Sequence, residues 1–163
     1  AVVLFARTSQ ALSRMNKLFQ EKEVKKIYWA VVKELPPDDE GKLQHFMLKD
    51  SNKNKSYALP KKRPGSKQGI LHYHLVSSTA NYHLLEIDLK TGRHHQIRSQ
   101  LAKIGCPIKG DLKYGFPRSN PTGGISLHAR RIEFVHPVRK KPVVIEAPVP
   151  QDDNLWKEFE NMV

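Results

Sequence analysis

The stretch Leu89-Lys90-Thr91-Gly92-Arg93-His94-His95-Gln96-Ile97-Arg98 decides how this chain is read. It ends an apolar–polar strand in a Thr-Gly turn, then opens a helix that carries two arginines, Arg93 and Arg98. Backbone N–H groups at a helix start, with guanidinium groups beside them, form a site for phosphate or carboxylate. Downstream, Ile97, Leu101 and Ile104 share one helical face, and Gly105 with Pro107 stops the helix, which is expected over about residues 93–104.

Upstream of this stretch, residues 70–77 and 82–89 alternate as a strand pair joined by a turn at Thr79-Ala80-Asn81. Lys26-Ile27-Tyr28-Trp29-Ala30-Val31-Val32 is a strand by composition, and residues 43–48 form another after the turn Pro36-Pro37-Asp38-Asp39-Glu40-Gly41. Residues 125–135 and 143–147 supply closing strands, with a tight loop at Gly110-Asp111-Leu112-Lys113-Tyr114-Gly115. Thr8 or Ser9 caps a helix bearing Ala11, Leu12, Met15, Leu18 and Phe19 on one face, and Asp152 or Asp153 caps a last helix over 155–162. Residues 1–6 read as a buried strand. Residues 50–68, with Asn52-Lys53-Asn54-Lys55 and the basic run from Lys61 to Lys67, read as an exposed, mobile loop. Strands outnumber helices and hairpins dominate. The expected class is α+β, a largely antiparallel mixed sheet flanked by helices in a single domain over residues 1–163.

The chain has 28 Lys and Arg against 16 acids, a formal charge of +12 and a pI near 9.9, which favours a polyanionic partner, nucleic acid above all. One cysteine, Cys106, excludes an internal disulfide and fits a reducing compartment; lying between apolar neighbours, it reads as a packing residue. No apolar run has the length of a membrane span, and no signal peptide stands out, so a cytoplasmic location is the default expectation. The histidines His94, His95, His128 and His136 lack zinc-site spacing, and adjacent positions on a helix point apart, so no metal is expected.

Five segments, in order, resemble the RluA-type pseudouridine synthases. Val2-Val3-Leu4-Phe5-Ala6-Arg7-Thr8 is similar to the tail of that family's first catalytic segment, and Lys26 to Val32 to its Lys-x-Tyr-x-Ala strand. Leu89 to Arg98 resembles its Leu-x-Thr-Gly-Arg-x-His-Gln-Ile-Arg segment. Gly105 to Asp111 with Tyr114-Gly115 resembles its Gly-x-Pro-Ile-x-Gly-Asp…Tyr-Gly loop, and Leu127-His128-Ala129 with His136-Pro137 continues the pattern. The resemblance covers roughly residues 1–149.

It implies an isomerase that converts uridine to pseudouridine in structured RNA, ribosomal or transfer, with the base flipped into a pocket and no cofactor or metal. The family's nucleophilic aspartate lies in a His-Arg-Leu-Asp segment that would fall just before Ala1, so the domain is expected to be N-terminally incomplete and inactive as the 163-residue chain, with exposed sheet edges that favour aggregation. By position in the motifs, Tyr28 stacks on the base or moves a proton at C5, and Arg98 pairs with the nucleophilic carboxylate. Arg93 is placed for an RNA phosphate or for support of Arg98. Arg7, Lys26, Lys109 and the Lys61–Lys67 loop are candidates for the RNA backbone. A monomer is expected. The alternative from another class is a non-catalytic RNA-binding module of the same fold, which the +12 charge supports equally.

Overall fold

In the computed structural model, which describes residues 1–163, Thr8 ends the opening segment: its Oγ1 accepts the Ala11 N–H at 3.0 Å and starts α1 (Ser9–Gln20). There follow β1 (Lys25–Val32), β2 (Glu40–Asp50), β3 (Lys55–Leu59), β4 (Lys67–Ser78), β5 (His83–Leu89) and α2 (Gln96–Lys103). A short 3₁₀ turn (Leu112–Tyr114), β6 (Leu127–Val135), β7 (Pro142–Glu146) and α3 (Asn154–Met162) complete the chain. Asp153 caps α3, its Oδ1 accepting the Leu155 N–H at 2.9 Å.

The strands form one seven-stranded sheet in the order β3-β2-β4-β5-β1-β6-β7. Every pairing is antiparallel, so the parallel contribution allowed for in a mixed sheet is absent. β1 lies inside the sheet and is covered on both faces from Ile27 onward, which is why its sequence is apolar without alternation. On one face Ala30, Val32, Leu71, Leu85 and Ile87 pack against Ile97 and Leu101 of α2 and against Ile108. On the other, Trp29, Val31 and Leu84 pack beneath Val149 and α3, through Trp156 and Phe159. Arg130 is the extra residue of a bulge where β6 meets Ile27 and Tyr28, and its guanidinium stacks over the Trp29 ring at 4.3 Å. No helix is long and apolar enough to cross a membrane.

Three sequence expectations are corrected. Residues 1–6 are neither a strand nor buried: Phe5 is 88% exposed, and the segment touches the sheet through one bond, Val2 N–H to the Ala129 carbonyl at 3.0 Å. Its apolar residues instead rim a shallow 260 Å³ groove with Leu12, Phe19 and Phe134, and α1 buries no residue fully. Residues 50–68 are not one loop. The Asp50 carboxylate accepts the Asn52 and Lys53 N–H groups, turning the chain so that 55–59 pair with β2, and Ser66 closes the next turn on Arg63. Alternation in Lys55-Ser56-Tyr57-Ala58-Leu59, with Ser56 and Ala58 buried, is the signal that the basic composition masked. Finally, α2 begins at Gln96 rather than Arg93, because His95 holds a left-handed conformation (φ 50°, ψ 30°) that no helix continues through.

Candidate active site

The Thr-Gly turn is held by side chains of its own motif. Thr91 Oγ1 accepts the Ile70 N–H at 2.9 Å and donates to Gln96 Oε1 at 2.7 Å, which also accepts the Arg93 N–H at 3.0 Å. Gln96 Nε2 donates to the Ile70 carbonyl and to Gln100 Oε1. Both residues are buried, so every polar atom that ties the turn to β4 is satisfied internally. Gly69 makes room for this: a Cβ there would lie 2.7 Å from Met47 and 3.1 Å from Gln96.

Arg98 points from α2 to the buried carboxylate of Asp111. Its Nε donates to Oδ2 and its Nη2 to Oδ1, both at 2.8 Å, a bidentate pair with the carboxylate side chain 1% exposed and the guanidinium 21%. Asp111 raises the Arg98 pKa further, through these hydrogen bonds foremost. Nη1 donates to His95 Nε2 at 3.1 Å. Arginine offers only donors, so this His95 nitrogen must accept, and the neutral ring carries its proton on Nδ1, which donates to Tyr114 Oη at 2.8 Å. Burial foremost, then the neighbouring Arg98, lowers the His95 pKa to about 4, which keeps that tautomer uncharged. Tyr114 Oη accepts the Ser56 N–H as well, at 2.8 Å, and the Arg98 guanidinium lies 4.9 Å from the Tyr114 ring centre. His94 stacks on His95 with ring centres 3.8 Å apart, and its nitrogens meet Ser56 Oγ and Asn54 Oδ1. The two rings therefore do not diverge as helical neighbours would; the left-handed His95 turns them together.

The remaining sequence candidates fall in different places. Tyr28 is half-buried on the α2 face of β1 and packs against the cluster that contains Ile97; its cross-strand partners are Ile87 and Ala129. Burial raises its phenol pKa. Lys26 lies two residues earlier on the same strand, within 3.2 Å of where a Cβ on Gly92 would sit, and burial lowers its pKa. Arg93 is exposed at the turn, its Nε donating to the Gln68 carbonyl at 3.0 Å while its terminal guanidinium N–H groups make no hydrogen bond within the chain. Arg7 is exposed before α1. Lys109 departs from its expected role: only 13% of its side chain is exposed, and its ammonium is held by Asn120 Oδ1 at 2.7 Å and Asp153 Oδ2 at 3.2 Å. It ties the 3₁₀ loop to the cap of α3, and no exposed charge is left for RNA.

The structure thus joins Arg98 to Asp111, His95 and Tyr114, and sets Tyr28, Lys26 and the Arg93 turn along the strip where β1 and β5 meet the start of α2. It does not join Arg98 to Tyr28 by any hydrogen bond. Asp111 and Tyr114 were missed as partners of Arg98, although both stand in the Gly110-Asp111…Tyr114-Gly115 loop; an aspartate in a loop that returns to an arginine helix was the available signal. Three of the five Arg98 N–H groups are used, which leaves two for a further anion.

An antiparallel sheet carrying this Thr-Gly-Arg turn and arginine helix has known counterparts. Residues 2–103 match the family described as RNA pseudouridylate synthase, and that span contains Tyr28, Arg93 and Arg98. An uncharacterized RNA pseudouridine synthase of Zymomonas mobilis is 31% identical over 150 residues, which is 91% of this chain and 68% of that protein. Ribosomal large subunit pseudouridine synthase D of Neisseria meningitidis is 31% identical over 93% of this chain, and synthase C of Buchnera aphidicola 33% over 91%. The chain spans 42% and 49% of those two relatives. Among solved structures, human RNA pseudouridylate synthase domain containing 4 superposes with a TM-score of 0.73 at 21% identity, over 95% of this chain and 68% of that one, which shows the shared fold. The chain belongs to the RNA pseudouridylate synthase family. Within it, the resemblance of five ordered motifs to the RluA-type members holds.

Proposed function

We propose that this chain forms the catalytic domain of an enzyme that isomerises specific uridines to pseudouridine in structured RNA. Ribosomal RNA is the first substrate to try, since two relatives are named as ribosomal large subunit synthases, and transfer RNA is the second. The observation that carries this reading is the setting of Tyr28: a half-buried phenol beside an apolar cluster, on the strand that leads to the Lys26–Gly92 contact.

In the reaction the N1–C1′ bond of uridine breaks and a C5–C1′ bond forms. The C5 proton leaves and N1 ends protonated, so the product is an isomer and nothing else is consumed. A flipped uracil stacks on Tyr28 with the apolar side chains around it excluding water; the phenol oxygen takes the C5 proton as its own O–H proton is passed on toward N1, so Tyr28 is neutral before and after the step. Lys26, Arg93 and Arg7 hold the RNA backbone. A His-Arg-Leu-Asp segment, in which the resemblance puts the nucleophilic aspartate, is not among residues 1–163. The Val2 N–H bond to Ala129 sets the opening segment beside Tyr28, since Ala129 is the cross-strand partner of Tyr28. Asp88 is paired with Ile27 in register, a position that faces away from Tyr28, and Asp111 is held by Arg98. In this account Arg98 fixes the loop that floors the site, and its two free N–H groups face the incoming carboxylate or a phosphate. The enzyme works as a cytoplasmic monomer without metal or organic cofactor.

The test is nucleoside analysis of uridine-containing ribosomal and transfer RNA after incubation with the protein. New pseudouridine in one RNA class is expected. RNA bound with no pseudouridine formed would replace this reading by the non-catalytic RNA-binding module.

A further inference from the structure

The positive charge of this chain is unevenly matched. Arg130, Arg131, Lys17, Lys90, Lys109 and Arg98 all have carboxylate partners. Between Gly41 and Leu85, by contrast, eight Lys and Arg face a single acid, Asp50, whose carboxylate is turned to the Asn52 and Lys53 N–H groups. No carboxylate lies within 4.0 Å of Lys49, Lys55 or Lys113.

These three lysines surround the tip of hairpin β2–β3, Lys49 on the Ser56 face and Lys55 on the Tyr57 face. Lys49 is the cross-strand partner of Ser56, whose hydroxyl meets His94 at 2.7 Å. Lys113 donates to the Asn54 carbonyl at 2.9 Å. The Lys55 ammonium lies 5.5 Å from the Tyr114 ring centre and 5.7 Å from that of Tyr57. Tyr57 is 36% exposed on the edge strand β3, with the Lys55 ammonium beside its ring. Unpaired lysines beside an open aromatic ring are the chemistry that holds a single-stranded nucleic acid, with phosphates on the ammonium groups and a base on the ring.

Resting on the function proposed above, we infer that hairpin β2–β3 with Lys113 is a second RNA grip, separate from the uridine pocket, in which Tyr57 stacks on an unpaired base, Lys55 holds the phosphate beside it, and Lys113 and Lys49 hold the backbone as it passes over the sheet edge to the Ser56 face. Four strand spacings separate β3 from β1, about 19 Å across the sheet. The grip therefore engages nucleotides well away from the flipped uridine. It selects RNAs folded so that an unpaired base reaches β3 while the target reaches Tyr28. The Tyr114–Ser56 bond anchors the hairpin to the loop that holds Arg98, so the grip is fixed relative to the site.

Fluorescence anisotropy of a labelled RNA stem-loop with unpaired loop bases, titrated with the 163-residue chain at several salt concentrations, tests this. For Lys49→Gln/Lys55→Gln the slope of log K against log salt should become shallower by about 0.7–0.9 per lysine. Tyr57→Ala should weaken binding about five- to hundredfold, and Tyr57→Phe should restore it. Lys141→Gln/Lys157→Gln, exposed lysines before β7 and on α3, serve as the control and should change little. A wild-type chain that binds while the hairpin variants bind equally well, or while the control pair loses as much, would overturn the grip and leave the proposed function standing. A wild-type chain that binds no RNA would remove both.

Discussion

Breaking the Arg98–Asp111 pair should be among the most damaging single changes in the domain. The Asp111 side chain is 1% exposed and receives donors from Arg98 alone, at two 2.8 Å contacts. Arg98→Met strands that carboxylate, and removing one partner of a buried pair costs about 3–5 kcal/mol. For a chain of 163 residues this corresponds to a melting temperature lower by roughly 10 °C. Asp111→Leu should cost somewhat less, about 2–4 kcal/mol, because the guanidinium is 21% exposed and can turn toward water. The double variant carries no stranded charge and should lie near the milder single, giving a coupling of about 3–5 kcal/mol. Urea unfolding of the four proteins, with the m-value checked for constancy, measures it. Additive losses, with a coupling below about 0.5 kcal/mol, would refute the view that the two residues act as one buried unit.

Three further outcomes are expected. Acid should destabilise the domain through His95: above pH 6.5 the ring is neutral folded or unfolded, and as the pH falls from there to about 4 the unfolded chain takes up a proton that the folded one refuses. Stability drops across that window by about 1–2 kcal/mol once screening over the partly exposed ring is allowed for. Urea midpoints at pH 7 and 4.5 should therefore converge in His95→Asn relative to wild type, and an equal loss in both proteins would exclude His95 as the source. Gly110→Ala should cost about 2 kcal/mol or more, because φ is +86° and the new Cβ would lie 2.6 Å from Asn120 Nδ2 and 2.9 Å from the Gly124 carbonyl; an unchanged melting temperature contradicts this. Tyr28→Phe should lower kcat by about a hundredfold or more if the hydroxyl moves the C5 proton, whereas unchanged turnover would leave Tyr28 only the stacking role.

Much of this fold is legible wherever hydrophobic period and turn chemistry agree. β1, β4, β5, β6 and both capped helices lie close to where alternation, Thr8 and Asp153 put them. The failures are instructive. Val2-Val3-Leu4-Phe5 is apolar enough for a strand but has no neighbour to bury it, and burial is a property of partners, not of the segment. β3 was hidden because lysines and asparagines surround a five-residue alternation that only pairing with β2 makes visible. The motifs single out Tyr28 and Arg98 but not what holds them. The carboxylate partner of Arg98 is 13 residues downstream, and Lys109 looked free because its partners, Asn120 and Asp153, lie on loops whose return path no local pattern encodes. The left-handed His95 was equally invisible, since two consecutive histidines read as helix surface until the turn geometry is known.

The central claim is that this domain holds the uridine at Tyr28 for isomerisation. It is tested most directly by comparing pseudouridine formation in ribosomal RNA, and binding of that RNA, by the protein and by its Tyr28→Ala variant. The account predicts pseudouridine from the unaltered protein and about a hundredfold less or none from the variant, with both binding RNA. Pseudouridine made by the variant at the wild-type rate would contradict it.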